Sequence, residues 1–183
     1  MAKHLLLFAA MVPMALGYGC VSAGNDVDQT MQSTKLTGLV GQWQGDNKLW
    51  FMPGDPVRES KATAAVVCSE GGNVVVINYT WSYEGKPQEG TLVVRANSAA
   101  EDVEVVLVDT WHTAGKFMMF QKDDAHDGLV AVRGSYAAPP GPDWGWRIVV
   151  ASDSVDEFHM LMFNITPDGE EAPAVEARFR RTD

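Results

Sequence analysis

The last third of the chain constrains the fold most. From Gly145 to Arg181 it reads GWRIVVASDSVDEFHMLMFNITPDGEEAPAVEARFRR. Trp146 to Ala151 and Phe158 to Ile165 are short runs of β-branched and bulky residues, with a turn at Asp153 to Asp156 between them. Pro167-Asp168-Gly169 is a second turn, because Pro presets φ and Gly accepts a positive φ. Val175 to Arg181 then alternates. Val175, Ala177 and Phe179 share one side, and Glu176, Arg178 and Arg180 share the other. A period of two marks a strand with two different faces. The stretch reads as three β-strands joined by tight turns.

The residues before it repeat this pattern. Gly41 opens a strand running to Phe51, with Trp43, Gly45, Asn47, Leu49 and Phe51 on one face. Further strands are expected at Glu59–Ser69, Val74–Tyr83, Gly90–Ala96, Val103–Trp111, Lys116–Gln121 and Leu129–Tyr136. Residues 137–143, rich in Pro, cannot be strand interior. Many short strands with hairpin turns and no crossover helix predict an all-β fold. The specific expectation is a single antiparallel meander β-barrel of about ten strands, preceded by a short helical turn around Leu36, Leu39 and Val40.

The expected domain spans residues 36–183, behind a polar tether at 20–35 and a signal peptide at 1–19. Lys3 and His4 form a basic start, Leu5 to Leu16 an apolar stretch too short to span a bilayer comfortably, and Gly17 and Gly19 follow. Cys20 then stands where a bacterial lipoprotein carries its lipid. Gly19 fits a lipobox, but Leu16 lies one place too far from the cysteine. Lipid anchoring and ordinary cleavage, for instance after Ala23, both remain open. The protein is expected to be exported, either to the periplasm or to the cell envelope. Cys68 is the other cysteine and is expected to be a small buried hydrophobe, so no disulfide framework supports the fold. With 24 acidic against 14 basic residues, the formal charge of −10 argues against nucleic acid as a partner.

Gly41-x-Trp43-x-Gly45 resembles the start of calycin-type barrels, the lipocalin and fatty-acid-binding group. The resemblance implies that Trp43 packs near a closed barrel end under an arginine of the last strand, Arg178 or Arg180. A guanidinium over an indole is a cation–π pair of about 1–2 kcal/mol when shielded from water. A closer resemblance is to domain-of-unknown-function family 1579, a bacterial family of calycin-like barrels. GQWQG at 41–45, WRIVVASDSVDEFHMLMF at 146–163 and PDGEEAPAVEARFRR at 167–181 carry it. It spans Leu36 to Arg181 and implies a fold rather than an activity.

Candidate ligand contacts are Trp81, Trp111, His112, Met119 and His159. His112 precedes a Gly-containing turn and reads either as a contact at the barrel mouth or as an ordinary turn histidine. His159 sits in a strand whose two faces are both apolar, so parity does not say which way it points. Its functional reading is a haem ligand inside the barrel, which rests on matching one type of axial ligand. The methionines at 118, 119, 160 and 162 can line an adaptable pocket or simply pack. The acidic run at Asp123 to Gly128 lacks the ligand spacing of a calcium loop, so no metal site is assigned. No cofactor and no catalytic residue are assigned either, since no hydrolase, metalloprotease or phosphate-loop motif is present in the sequence. Two readings stand. One is a non-enzymatic barrel holding a small apolar or amphipathic ligand, without a nucleic-acid partner. The other is a structural or protein-interaction envelope module with a filled core. An internal cavity of about 300 Å³ or more separates them.

Overall fold

A computed structural model describes residues 35–97, 102–113 and 115–182. The signal-peptide, Cys20 and tether assignments lie outside these residues, except at residue 35.

Ten antiparallel strands form a closed barrel. They are β1 (Gly41–Leu49), β2 (Arg58–Cys68), β3 (Val74–Tyr83), β4 (Lys86–Asn97), β5 (Asp102–Asp109), β6 (Met118–Lys122), β7 (Val130–Tyr136), β8 (Trp144–Ser154), β9 (Glu157–Ile165) and β10 (Glu171–Arg181). Each strand pairs with its sequence neighbours, and β1 pairs with β10 to close the ring. Among the described residues, closure leaves no strand edge to pair with another chain.

The alternation seen in the sequence is the alternation of the wall. Trp43, Asn47 and Leu49 of β1 point inward, as do Val175, Ala177 and Phe179 of β10. Small residues make room for large ones: Trp43 lies opposite Ala64 in the β1–β2 register, and Ala62 and Ala177 are buried nearby in sequence and sheet. Burying an indole contributes roughly 4–6 kcal/mol by area. Gly45 has no room for a side chain against β10, since a Cβ there would lie 1.8 Å from the Arg178 carbonyl oxygen.

One end is plugged. A helical turn at residues 35–37 delivers Leu36 and Leu39, both buried. The Trp43 indole Nε1 donates to the Leu39 carbonyl at 2.8 Å. Trp43 meets Phe158 edge-on at 4.7 Å, and Phe158 stacks on Phe179. The arginine over Trp43 is Arg181, with its guanidinium 4.1 Å from the ring. This corrects the expectation of Arg178 or Arg180. Those two lie on the outer face, where Arg178 pairs with Glu176 and Arg180 with Glu157. Arg181 continues the inward series 175, 177, 179. It also donates to the Val40 and Gly38 carbonyls, each at 2.8 Å, and so ties the plug to the last strand.

Several boundaries differ from expectation. The β3–β4 turn needs only Glu84 and Gly85, both at positive φ, so Lys86 and Pro87 belong to β4. β5 ends at Asp109, before Trp111, because the Asp109 side chain takes up the next amides. β10 begins four residues before Val175 and absorbs Pro173 through a register shift. Cys68 is exposed and not buried, because as the last residue of β2 it lies beyond the packed interior.

Candidate functional site

The other end of the barrel is the mouth, where β1, β3, β5, β7 and β9 finish. Its organising residue is Asp109, the last residue of β5. Its Oδ1 accepts the backbone N–H of Trp111, His112 and Thr113 at 3.2, 2.6 and 2.8 Å. Thr113 answers with its hydroxyl, which accepts from the Asp109 amide and donates to the Asp109 carbonyl. This aspartate turn reverses the chain in place of strand pairing. It also fixes Trp111 and His112 over the mouth.

Oδ2 of Asp109 binds Nδ1 of His112 at 2.6 Å. The Asp109 side chain is fully buried and that of His112 is 14% exposed. Burial works against charge on Asp109. The hydrogen bond and charge of His112, with the amides of Thr113 and His112, outweigh it and hold the carboxyl below its ordinary value. Asp109 is therefore a carboxylate, which can only accept, and Nδ1 of His112 carries the proton between them.

Tyr79 of β3 completes the group from across an intervening strand. Tyr79 pairs with Gly90 of β4, and Gly90 with Asp109 of β5, so the three lie in one row. A Cβ on Gly90 would lie 2.3 Å from the Tyr79 ring. The missing side chain is the gap through which the phenol passes to donate to Asp109 Oδ2 at 3.4 Å. Burial, then the adjacent Asp109 charge and hydrogen bond, push the Tyr79 phenol well above its ordinary value.

Aromatic rings surround this polar row. Trp111 contacts Phe51, Trp81 and Tyr83 with centroids 6.0, 5.5 and 4.8 Å away. The His112 ring lies between Trp81 at 6.5 Å and Trp146 at 4.8 Å. Together Phe51, Trp111, His112, Met118, Tyr136 and Trp146 wall most of a cavity of about 180 Å³. Tyr136 donates to Asn164 Oδ1 at 2.7 Å, on the same wall. The indole Nε1 of Trp146 is buried with no hydrogen-bond partner among the described residues. Larger hollows of about 840 and 630 Å³ lie over the outer face of the sheet. Exposed side chains such as Asp46, Lys61 and Arg180 dominate the first, and Thr63, Asn78 and Thr80 contribute to the second. The second also touches Tyr79, Gly90 and Asp109, whereas the smaller cavity is lined by His112 and the inward-facing Met118 and Trp146.

The structure brings Trp81, Trp111 and His112 together at the mouth. It separates Met119 and His159 from them. Met119 is 63% exposed on the outer face, while Met118, Met160 and Met162 point inward. His159 also faces outward, with Nδ1 on Asp153 Oδ2 at 2.8 Å, while its neighbours Phe158 and Met160 fill the interior. In the acidic loop, His126 Nδ1 bonds Asp123 at 2.9 Å. Asp109, Tyr79, Gly90 and Trp146 were not singled out from the sequence as site residues. The spacing Asp109-x-x-His112-Thr113 carried the missed signal, because an aspartate followed by polar turn residues is an aspartate-turn pattern.

The sequence model of a family described as "Protein of unknown function (DUF1579)" matches residues 29–181. No curated protein sequence matches the chain. Among solved structures, Rv2717c from M. tuberculosis is similar at a TM-score of 0.55 and 15% identity, over 83% of this chain and 98% of that one. That is a likeness of fold. An S-type phycobiliprotein lyase from Guillardia theta gives a TM-score of 0.48 and 10% identity, over 85% of this chain and 98% of its own.

Proposed function

We infer, for a chain that belongs to domain-of-unknown-function family 1579, that the barrel binds one compact, mainly apolar molecule at its mouth. The observation that carries this is the aromatic-walled cavity of about 180 Å³ beside the Asp109–His112 pair. An apolar cavity of about 150 Å³ is enough to take up benzene. Pockets for larger organic ligands run to about 300–1,000 Å³. The size therefore favours a ring-sized ligand over a fatty acid or a tetrapyrrole. The plugged half is filled by Trp43, Phe158 and Phe179, and leaves the mouth as the place to bind.

This is a reading of binding without catalysis. Residues 1–19 and Cys20 support placing the protein outside the cytoplasm, either lipid-anchored or free. Metabolic labelling with a fatty acid, against a Cys20→Ser variant, tests the anchor; no label on the parent protein removes it. Binding is tested by native mass spectrometry on the chain purified without denaturant from its natural host. A reproducible extra mass that is lost on denaturation is expected. A bare mass across several preparations would favour the filled interaction module instead.

A further inference from the structure

Resting on that reading, we propose that the ligand presents a proton donor, a phenolic O–H or a ring N–H, to Nε2 of His112. The group is built to leave one acceptor free. Asp109 holds Nδ1 at 2.6 Å and is itself fixed by three backbone amides and by Tyr79. Whenever the imidazole is neutral, this bond places its proton on Nδ1 and leaves the lone pair on Nε2. Nε2 stands across the ring from Asp109, His112 lines the cavity, and no hydrogen bond engages Nε2 among the described residues. Ring contacts with Trp81 and Trp146 keep the imidazole from turning away.

The walls choose the sign of the ligand. Among the described residues no lysine or arginine lines the cavity, so a carboxylate entering it would lose its hydration without a cation from them to meet it. A purely apolar ring would leave Nε2 without a partner once water is displaced. A small aromatic ring with one donor satisfies both the walls and the nitrogen. The aromatic walls take its faces and edges. The acceptor takes its hydroxyl or ring N–H proton.

The test is an NMR titration of the full chain with phenol, anisole, toluene and benzoate, read at the indole N–H signals of Trp111 and Trp146. Phenol is expected to bind roughly tenfold more tightly than anisole, which has the same ring but cannot donate. His112→Phe is expected to remove that preference while anisole binding stays. His159→Phe, on the outer face, is expected to keep the preference. Equal affinities for phenol and anisole would overturn the inference while leaving the mouth as a binding site. Benzoate binding tightest would also overturn it, by showing an anion site. No binding by any probe would overturn both the inference and the reading beneath it. If His112→Phe does not fold, the comparison of phenol with anisole on the parent chain decides alone.

Discussion

At the scale of single residues, a side chain that is not there matters as much as those that are. Gly90→Ala adds a methyl where the Tyr79 ring lies, 2.3 Å away. It is expected to push Tyr79 off Asp109 and to cost about 1–3 kcal/mol, read from urea unfolding. Arg181 makes a sharper contrast. Arg181→Ala loses the stack on Trp43 and the bonds to Val40 and Gly38, for an expected loss of about 2–4 kcal/mol. Arg178→Ala and Arg180→Ala, on exposed pairs, are expected to stay within about 0.5 kcal/mol in the same assay. The Asp109 carboxyl titrates lower in the folded chain than in the unfolded chain, where it lies near about 3.9. Its contribution is therefore present above that value and is lost as pH falls through it toward the folded value. Asp109→Asn is expected to be less stable at neutral pH and to lose less stability between about pH 5 and pH 2, by denaturation series across pH. Tyr79 has the opposite sign. Its folded pKa is raised, so its contribution is whole below the unfolded value near about 10 and falls as pH rises beyond it.

At the scale of elements, the hairpins were legible wherever one face was apolar and the other polar. β1 and β10 showed this, and the series Val175, Ala177, Phe179 reaches Arg181 only when extended by one more step, which the resemblance, pointing to Arg178 or Arg180, passed over. β9 did not, because Leu161 and Phe163 on its outer side are themselves half-buried. The guanidinium of Arg147, paired with Glu171, covers Phe163 at 4.1 Å. An outer face sheltered in this way looks like an inner one in sequence, which is why His159 could not be oriented. The β3–β4 turn is open to improvement. Glu84 sits at φ 49°, a region that favours Asn. Glu84→Asn is expected to stabilise the hairpin by about 0.5 kcal/mol, seen as a shifted urea midpoint with unchanged slope.

At the scale of the whole molecule, the barrel has two unlike halves. The plugged half is a conventional core, and its pattern of Trp, Phe, Ala and Gly was readable because packing leaves a periodic trace. The mouth was only partly readable. Trp81, Trp111 and His112 stood out as aromatic residues near a turn, but their assembly depends on a row across three strands. Tyr79, Gly90 and Asp109 are 11 and 19 residues apart along the chain and adjacent only once β3, β4 and β5 are in register. No local motif can announce that arrangement. A crystal structure of the chain soaked in toluene decides whether the mouth takes up a ring. Ring-shaped density is expected among Trp111, His112 and Trp146 inside the mouth. An empty mouth, with density confined to the outer grooves, would contradict binding there.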